Sequence, residues 1–264
     1  MFILKAYKDL LMNIKADIYL RNIINKNKVL PISINNFRLF GIKNIIKLWA
    51  KNCLNDIIKS GSSAKGTAVK GISDIDLFIS LKHNTVGTLK EIYNSLDNFL
   101  KDKGISTKRQ NVSIRISHSN LIIDLVPGKK QLGYTNYHSI YLSKKDTWEQ
   151  TNVKTHIDIV SNSNRIKEII LTKIWKKIHG LEFPSIYLEL IVIEALKNKS
   201  AKSLSDNFWT VLKYLTENFA EKVIVDPSNS NNIVSDLLHK YEKETIVIKA
   251  KESISKKYWS DIIW

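Results

Sequence analysis

Apolar positions along this chain change their period as it proceeds. Over residues 4–26, and again over 42–59, they recur at helical spacing; in the second stretch Ile45, Ile46, Leu48 and Trp49, then Leu54, Ile57 and Ile58, fall on one face. Two helices are predicted, the second ended by a turn at Gly61. "DIDLFISL" (74–81) alternates as a strand does, and "TVGTLKEIYNSLDNFLKDKG" (85–104) returns to helical period and stops at Gly104. "VSIRIS" and "LIIDLV" read as a hairpin over His118, Ser119 and Asn120. From about residue 161 strand signals fade, and "RIKEIILTKIWKKIHG", "SIYLELIVIEALKNK" and "LSDNFWTVLKYLTENFAEK" read as successive helices. The pattern predicts an α+β chain in two lobes. Residues 1–160 form a mixed sheet flanked by helices with an N-terminal bracing helix, and 161–264 form a helical lobe. No internal repeat interrupts this plan.

Composition narrows the classes. The chain has 264 residues and a hydrophobic share of 44%, enough to bury a sizeable core. No apolar run approaches the roughly 20 residues that cross a bilayer. Lys5, Lys8 and Asp9 break the first segment, which has no small-residue cleavage site, so it reads as an amphipathic helix in a cytoplasmic protein with no membrane partner. Cys53 stands alone, which excludes an internal disulfide framework and a cysteine-rich zinc site. Any metal must sit on oxygen or histidine. No histidine pair has the spacing of a zinc helix, and none adjoins a serine or cysteine nucleophile in a recognisable motif. The net charge of +16 attracts polyanions, yet lysine is abundant everywhere, and a solvated basic surface accounts for it equally well. An RNA or DNA activator or acceptor therefore stays open.

Chemistry concentrates in "SGSSAKGTAVKGISDIDLFISL" (60–81). On a strand, residues i and i+2 share a face, so Asp74 and Asp76 project together while Ile75 and Leu77 face the core. Two adjacent carboxylates repel, and a hard divalent cation relieves them, with Mg²⁺ the leading candidate. "LIIDLV" supplies Asp124, a charge in an apolar run that must be paired or ligating if buried. If the two strands are neighbours, three carboxylates can hold two metals, the arrangement that activates a hydroxyl in phosphoryl transfer. Gly61 and Ser62 would then hold phosphates through backbone N–H groups and a hydroxyl. Taken singly, a Gly-Ser turn and an Asp-x-Asp pair are ordinary surface features; the combination is not.

This order of Gly-Ser, spacer, Asp-x-Asp and a third Asp resembles the polymerase β-type nucleotidyltransferase superfamily. "GSSAKGTAVKGISDIDL" is especially similar to 2′-5′-oligoadenylate synthetases and to the bacterial cyclic-oligonucleotide (CD-NTase, SMODS) synthases. "LIIDLVPG", "LTKIWKK", "FPSIYLELIVIEAL" and "IVDPSNSNNIV" extend the resemblance from about residue 42 to 235. It implies a two-lobed nucleotidyltransferase fold that joins NTP substrates, with release of pyrophosphate, into a short linear or cyclic oligonucleotide, in a bacterium a signal of antiviral defence. It further implies that Asp74, Asp76 and Asp124 bind two Mg²⁺ ions, with Mn²⁺ the alternative, and that Gly61 and Ser62 contact the triphosphate. Lys173 and Ser185 would hold the β- and γ-phosphates from the helical lobe. Without the resemblance, Lys173 reads as a surface lysine and Ser185 as an N-cap. Trp175 and Tyr187 could stack on a base, although aromatics at helical spacing are more often core.

The zinc-binding insertion of the animal cyclic GMP-AMP synthases is missing, so no zinc is expected. Ser185 and Ile186 stand where oligoadenylate synthetases have glutamine and tyrosine, which puts adenine selectivity in doubt. Two other readings remain: nucleotide addition to an RNA or tRNA 3′ end, as by a CCA-adding enzyme or a toxin, and a nucleic-acid-binding pseudoenzyme. Retention of all three carboxylates argues against the last.

Overall fold

A computed structural model describes the chain except Met1, Pro31, Ile72, Ser73, Tyr134, Ala201 and Lys202, with side chains described from Ile14 onward. The elements run α1 (Phe2–Asn27), α2 (Phe40–Ala50), β1 (Leu54–Ser60), α3 (Gly61–Lys65), β2 (Ile75–Leu81), α4 (Leu89–Asp102), β3 (Thr107–Arg109), β4 (Ile114–His118) and β5 (Leu121–Lys130). They continue as β6 (His138–Leu142), β7 (Thr147–Thr151), α5 (Val153–Ser161), α6 (Ile166–Ile178), α7 (Ser185–Ala195), α8 (Leu204–Glu217), β8 (Val225–Asp226), β9 (Asn229–Ile233) and α9 (Lys240–Ile254).

Seven strands form one mixed sheet in the order β1-β2-β5-β4-β3, with β6 also on β5 and β7 on β6. β2 and β5 run parallel, and every other pair in this sheet is antiparallel. Parallel neighbours need a long crossover, supplied here by α4, β3 and β4. A Thr88–Glu91 capping box starts α4. The β4–β5 turn is tighter than its sequence suggested: Ser119 and Asn120 both take positive φ, +51° and +57°, as a two-residue hairpin turn requires.

Alternation separates core from site. Ile75, Leu77 and Ile79 of β2 and Ile123 and Leu125 of β5 face α2 and α4, packing with Ile42, Ile46, Leu96 and Leu100. Asp76 and Phe78, with Asp124 and Val126, therefore take the opposite face.

The helix expected over 42–59 is shorter than its apolar period. It ends at Ala50; Lys51 turns away at φ +46°, and residues 54–60 run as β1, paired antiparallel with β2. Ile57 and Ile58 are β-branched and suit a strand, and a helix carried to Gly61 would leave the β2 edge uncovered. The strands β6 and β7 and the small β8–β9 hairpin were not anticipated either.

The second core joins Ile169, Ile174, Trp175, Leu188, Phe208, Leu212 and Phe219 with Leu20, Ile23 and Ile24 of α1. The N-terminal helix thus braces the helical lobe. Tyr19 donates its hydroxyl to Ile263 O at 2.8 Å, and Asp17 accepts from the backbone N–H groups of Leu204 and Ser205. Trp175 and Tyr187 are fully buried; Trp175 donates to Ser253 Oγ, and Tyr187 packs on Phe183 and Phe219. Both belong to the core, and neither ring is available to stack on a base. No described helix is long and apolar enough to cross a membrane.

Candidate active site

Strand register assembles the acidic site. The parallel β2–β5 pairing sets Asp76 directly beside Asp124, and the antiparallel β4–β5 pairing sets Arg115 beside Asp124 on its other flank. Asp74 immediately precedes β2 and reaches the same guanidinium. Arg115 donates Nε to Asp124 Oδ1 at 2.9 Å and Nη2 to Asp124 Oδ2 at 2.8 Å, and Nη2 also pairs with Asp74 Oδ2. Gln110 Nε2 adds a bond to Asp124 Oδ1 at 3.1 Å. Among the described residues no hydrogen-bond donor meets Asp76. Burial, then the charges of Asp124 and Asp74, push its carboxyl up to about 6 against partial relief from Lys65 and Lys173. Burial also raises Asp74, opposed by Arg115.

Three carboxylates converging from two strands, one with no partner, are a donor set suited to hard divalent cations. Among the described residues no group of three or more acidic, histidine or cysteine side chains stands as a ready-made cage. Arg115 lies between Asp74 and Asp124 and pairs with both.

The glycine loop crosses this site at close range. Gly61 has φ +59°, and a Cβ there would lie 1.8 Å from Asp76 Oδ2, so only glycine fits. Ser62 follows, half-buried, its carbonyl accepting from the backbone of Gly66 and Thr67. A cavity of about 180 Å³ opens beside Gly61 and Lys65 over Phe78 and Val126, with Thr151, His156 and Ile157 along its wall. It lies on the carboxylate face of the sheet, two residues further along β2 and β5.

Behind the loop lies a closed ionic network. Lys65 Nζ bonds Glu189 Oε2 at 2.8 Å; Lys173 Nζ bonds Glu189 Oε1 at 2.6 Å and Thr67 Oγ1 at 2.8 Å; Thr67 donates to Glu189 Oε1 at 3.0 Å. All four are buried, Thr67 and Glu189 completely. Burial lowers Lys173 despite Glu189, while burial acts to raise Glu189 and the two ammoniums outweigh it and hold it down. The reading of Lys173 as a surface lysine does not hold. Ser185 is exposed as the first residue of α7, whose N-cap is Pro184, so its hydroxyl is not used as a cap. It lies one turn before Glu189 and shares that helix face.

Arg115, Gln110, Lys65, Thr67 and Glu189 were not singled out for roles by the sequence. A two-residue turn at Ser119-Asn120 sets Arg115 opposite Asp124, a register that the three-residue turn read from the sequence would have shifted by one position. Glu189, an acid within the apolar run "IYLELIVI", carried the same signal as Asp124. His156 is structural: Nε2 lies 2.7 Å from Asp226 Oδ1 and 2.9 Å from Ser228 Oγ, tying the β8–β9 turn to α5.

Comparison with known proteins gives the chain relatives in sequence and in fold. Residues 42–164 match the model of the Second Messenger Oligonucleotide or Dinucleotide Synthetase domain, a stretch that contains all three aspartates. The cyclic AMP-AMP-AMP synthase of Escherichia coli (strain MS 115-1) is 26% identical over a region covering 55% of this chain and 51% of that protein, so the match spans about half of the relative's length. The structure of E. coli MS115-1 CdnC with ATP superimposes with a TM-score of 0.74 at 19% identity, covering 90% of this chain and 89% of that one. The Bradyrhizobium diazoefficiens CD-NTase CdnG in complex with GTP gives 0.72 at 11% identity, covering 91% and 93%. These likenesses bear out the resemblance drawn from the motifs: residues 42–164 are similar to the second messenger oligonucleotide or dinucleotide synthetase domain, and the chain has the two-lobed fold of the CD-NTases.

Proposed function

We propose that this chain is a template-independent nucleotidyltransferase that joins nucleoside triphosphates into a short linear or cyclic oligonucleotide. The meeting of Asp74, Asp76 and Asp124 on one sheet face, under a loop that only glycine can form, carries this reading. A ribose hydroxyl of one nucleotide attacks the α-phosphorus of another; the bond from that phosphorus to the bridging oxygen breaks, and pyrophosphate leaves. Asp74, Asp76 and Asp124 would hold two Mg²⁺ ions, or Mn²⁺, which when bound supply Lewis-acid stabilisation of the α-phosphate and the departing pyrophosphate.

Asp124 is the acceptor for the ribose proton. Gly61 and Ser62 hold the triphosphate with backbone N–H groups and a hydroxyl. Ser185 adds a second hydroxyl at the start of α7. Lys173 and Lys65, committed to Glu189, act on the triphosphate mainly through their field and by bracing the loop. Solved structures of similar fold hold ATP or GTP, which supports nucleoside triphosphates as the substrate class.

The net charge of +16 supports a second reading, nucleotide addition to an RNA 3′ end. Purified protein incubated with four NTPs and Mg²⁺, with and without tRNA or duplex RNA, separates the two when products are resolved by mass. Free oligonucleotide formed without an acceptor supports the main reading; lengthened tRNA and no free product defeats it.

A further inference from the structure

Arg115 has no place in the chemistry above, yet it makes three hydrogen bonds within the site. Its backbone position is fixed by register beside Asp124, and its guanidinium spans Asp124 and Asp74 together. Asp124 Oδ1 already accepts two donors, Arg115 Nε and Gln110 Nε2, and Oδ2 accepts one. One lone pair of Oδ2 is left for any ligand.

Charge counting points the same way. Three ionised carboxylates against one guanidinium leave the site at −2. The neighbouring network of Lys65, Lys173 and Glu189 contributes two ammoniums against one carboxylate, a net +1. One divalent ion therefore already overcompensates the whole region, and a second is repelled unless a polyanion arrives with it. A triphosphate is such a polyanion.

We infer that Arg115 is a built-in counter-cation of the metal site: it balances Asp74 and Asp124 in the nucleotide-free protein, keeps affinity for free divalent ions low, and so makes metal entry depend on the nucleotide. The inference rests on the proposed metal-dependent activity, and it assigns Arg115 as a positioning residue, with no part in bond making.

The test reads ion binding, not turnover. Mn²⁺ affinity is measured by calorimetry for the full-length wild type, Arg115→Gln and Arg115→Lys, with and without a non-hydrolysable ATP analogue, alongside melting midpoints in EDTA and in Mn²⁺. Arg115→Gln is expected to bind free Mn²⁺ at least tenfold more tightly, with the advantage shrinking once the analogue is present. It should melt lower than wild type in EDTA and gain more from Mn²⁺. Arg115→Lys keeps the charge but loses the fork, so its affinity for free Mn²⁺ stays near that of wild type. Equal or weaker Mn²⁺ binding by Arg115→Gln overturns the inference. If Arg115→Gln does not fold, Arg115→Lys decides: a loss of ion affinity there means that the arginine only orients Asp124, and the inference fails. Absence of Mn²⁺ binding in wild type with the analogue present removes the metal site itself, and the proposed function with it.

Discussion

Two clusters of charge flank the glycine loop, and they are built on opposite terms. Behind it, Glu189 shares its oxygens among Lys65, Lys173 and Thr67, and every buried charge has a partner at hydrogen-bond distance. In front, three carboxylates have one guanidinium, and Asp76 has no donor at all among the described residues. The first cluster is complete as it stands and fixes the sheet lobe to the helical lobe. The second is under-compensated, and the proposed metal ions would relieve that imbalance. Buried charge therefore serves both as a clasp and as a site, and the difference lies in whether the partners are supplied by the chain.

The largest expected difference comes from the incomplete cluster. Asp76→Asn should abolish nucleotide joining, by roughly 10³-fold or more, with the fold intact; near-full turnover would falsify the two-metal assignment. The complete cluster should respond in stability instead. Glu189→Gln leaves two buried ammoniums short of a counter-charge and should lower the unfolding free energy by about 3 kcal/mol in urea titrations. A neutral result there would mean that water reaches the network. Gly61→Ala places a methyl on Asp76; kcat should fall by about 100-fold through misplacement alone, whereas Gly66→Ala, strained likewise at φ +75° but with nothing within 4 Å of its Cβ, should cost stability and change kcat much less.

The smallest expected effect is on pH dependence. Asp76 has its carboxyl raised to about 6, so its contribution to the stability of metal-free protein is present below the ordinary carboxylate range and is lost as pH rises through about 6. Between pH 4 and 7.5 in EDTA, wild type should lose on the order of 2 kcal/mol relative to Asp76→Asn, measured by urea unfolding. Parallel pH profiles for the two proteins would show that Asp76 is already compensated.

Much of this was legible in the sequence where local rules decide. Alternation in "DIDLFISL" and "LIIDLV" put the aspartates opposite the core, and Gly104 marked the end of α4, whereas Gly61 did not mark the end of α2. What escaped needed partners distant in the chain. Lys65-Gly66-Thr67 has no readable role until Glu189, more than 120 residues later, closes on it. Residues 54–60 have apolar spacing compatible with either period, and only the presence of β2 as a neighbour selects the strand. Arg115 was hidden because its importance depends on register, which a turn one residue longer would have reversed from face to face.

The docking of α1 has a consequence for how the chain is made. Its described partners include Leu204, Ser205 and Ile263, all synthesised long after α1 itself. At ribosomal rates of about 5–20 residues per second, the helix waits roughly 10–50 seconds for them. Through that interval its apolar face, Leu20, Ile23 and Ile24, stays without its final cover, exposed to premature association, while the sheet with its three aspartates can already form. The acidic face is thus translated early, and the lobe that completes the cleft is sealed last.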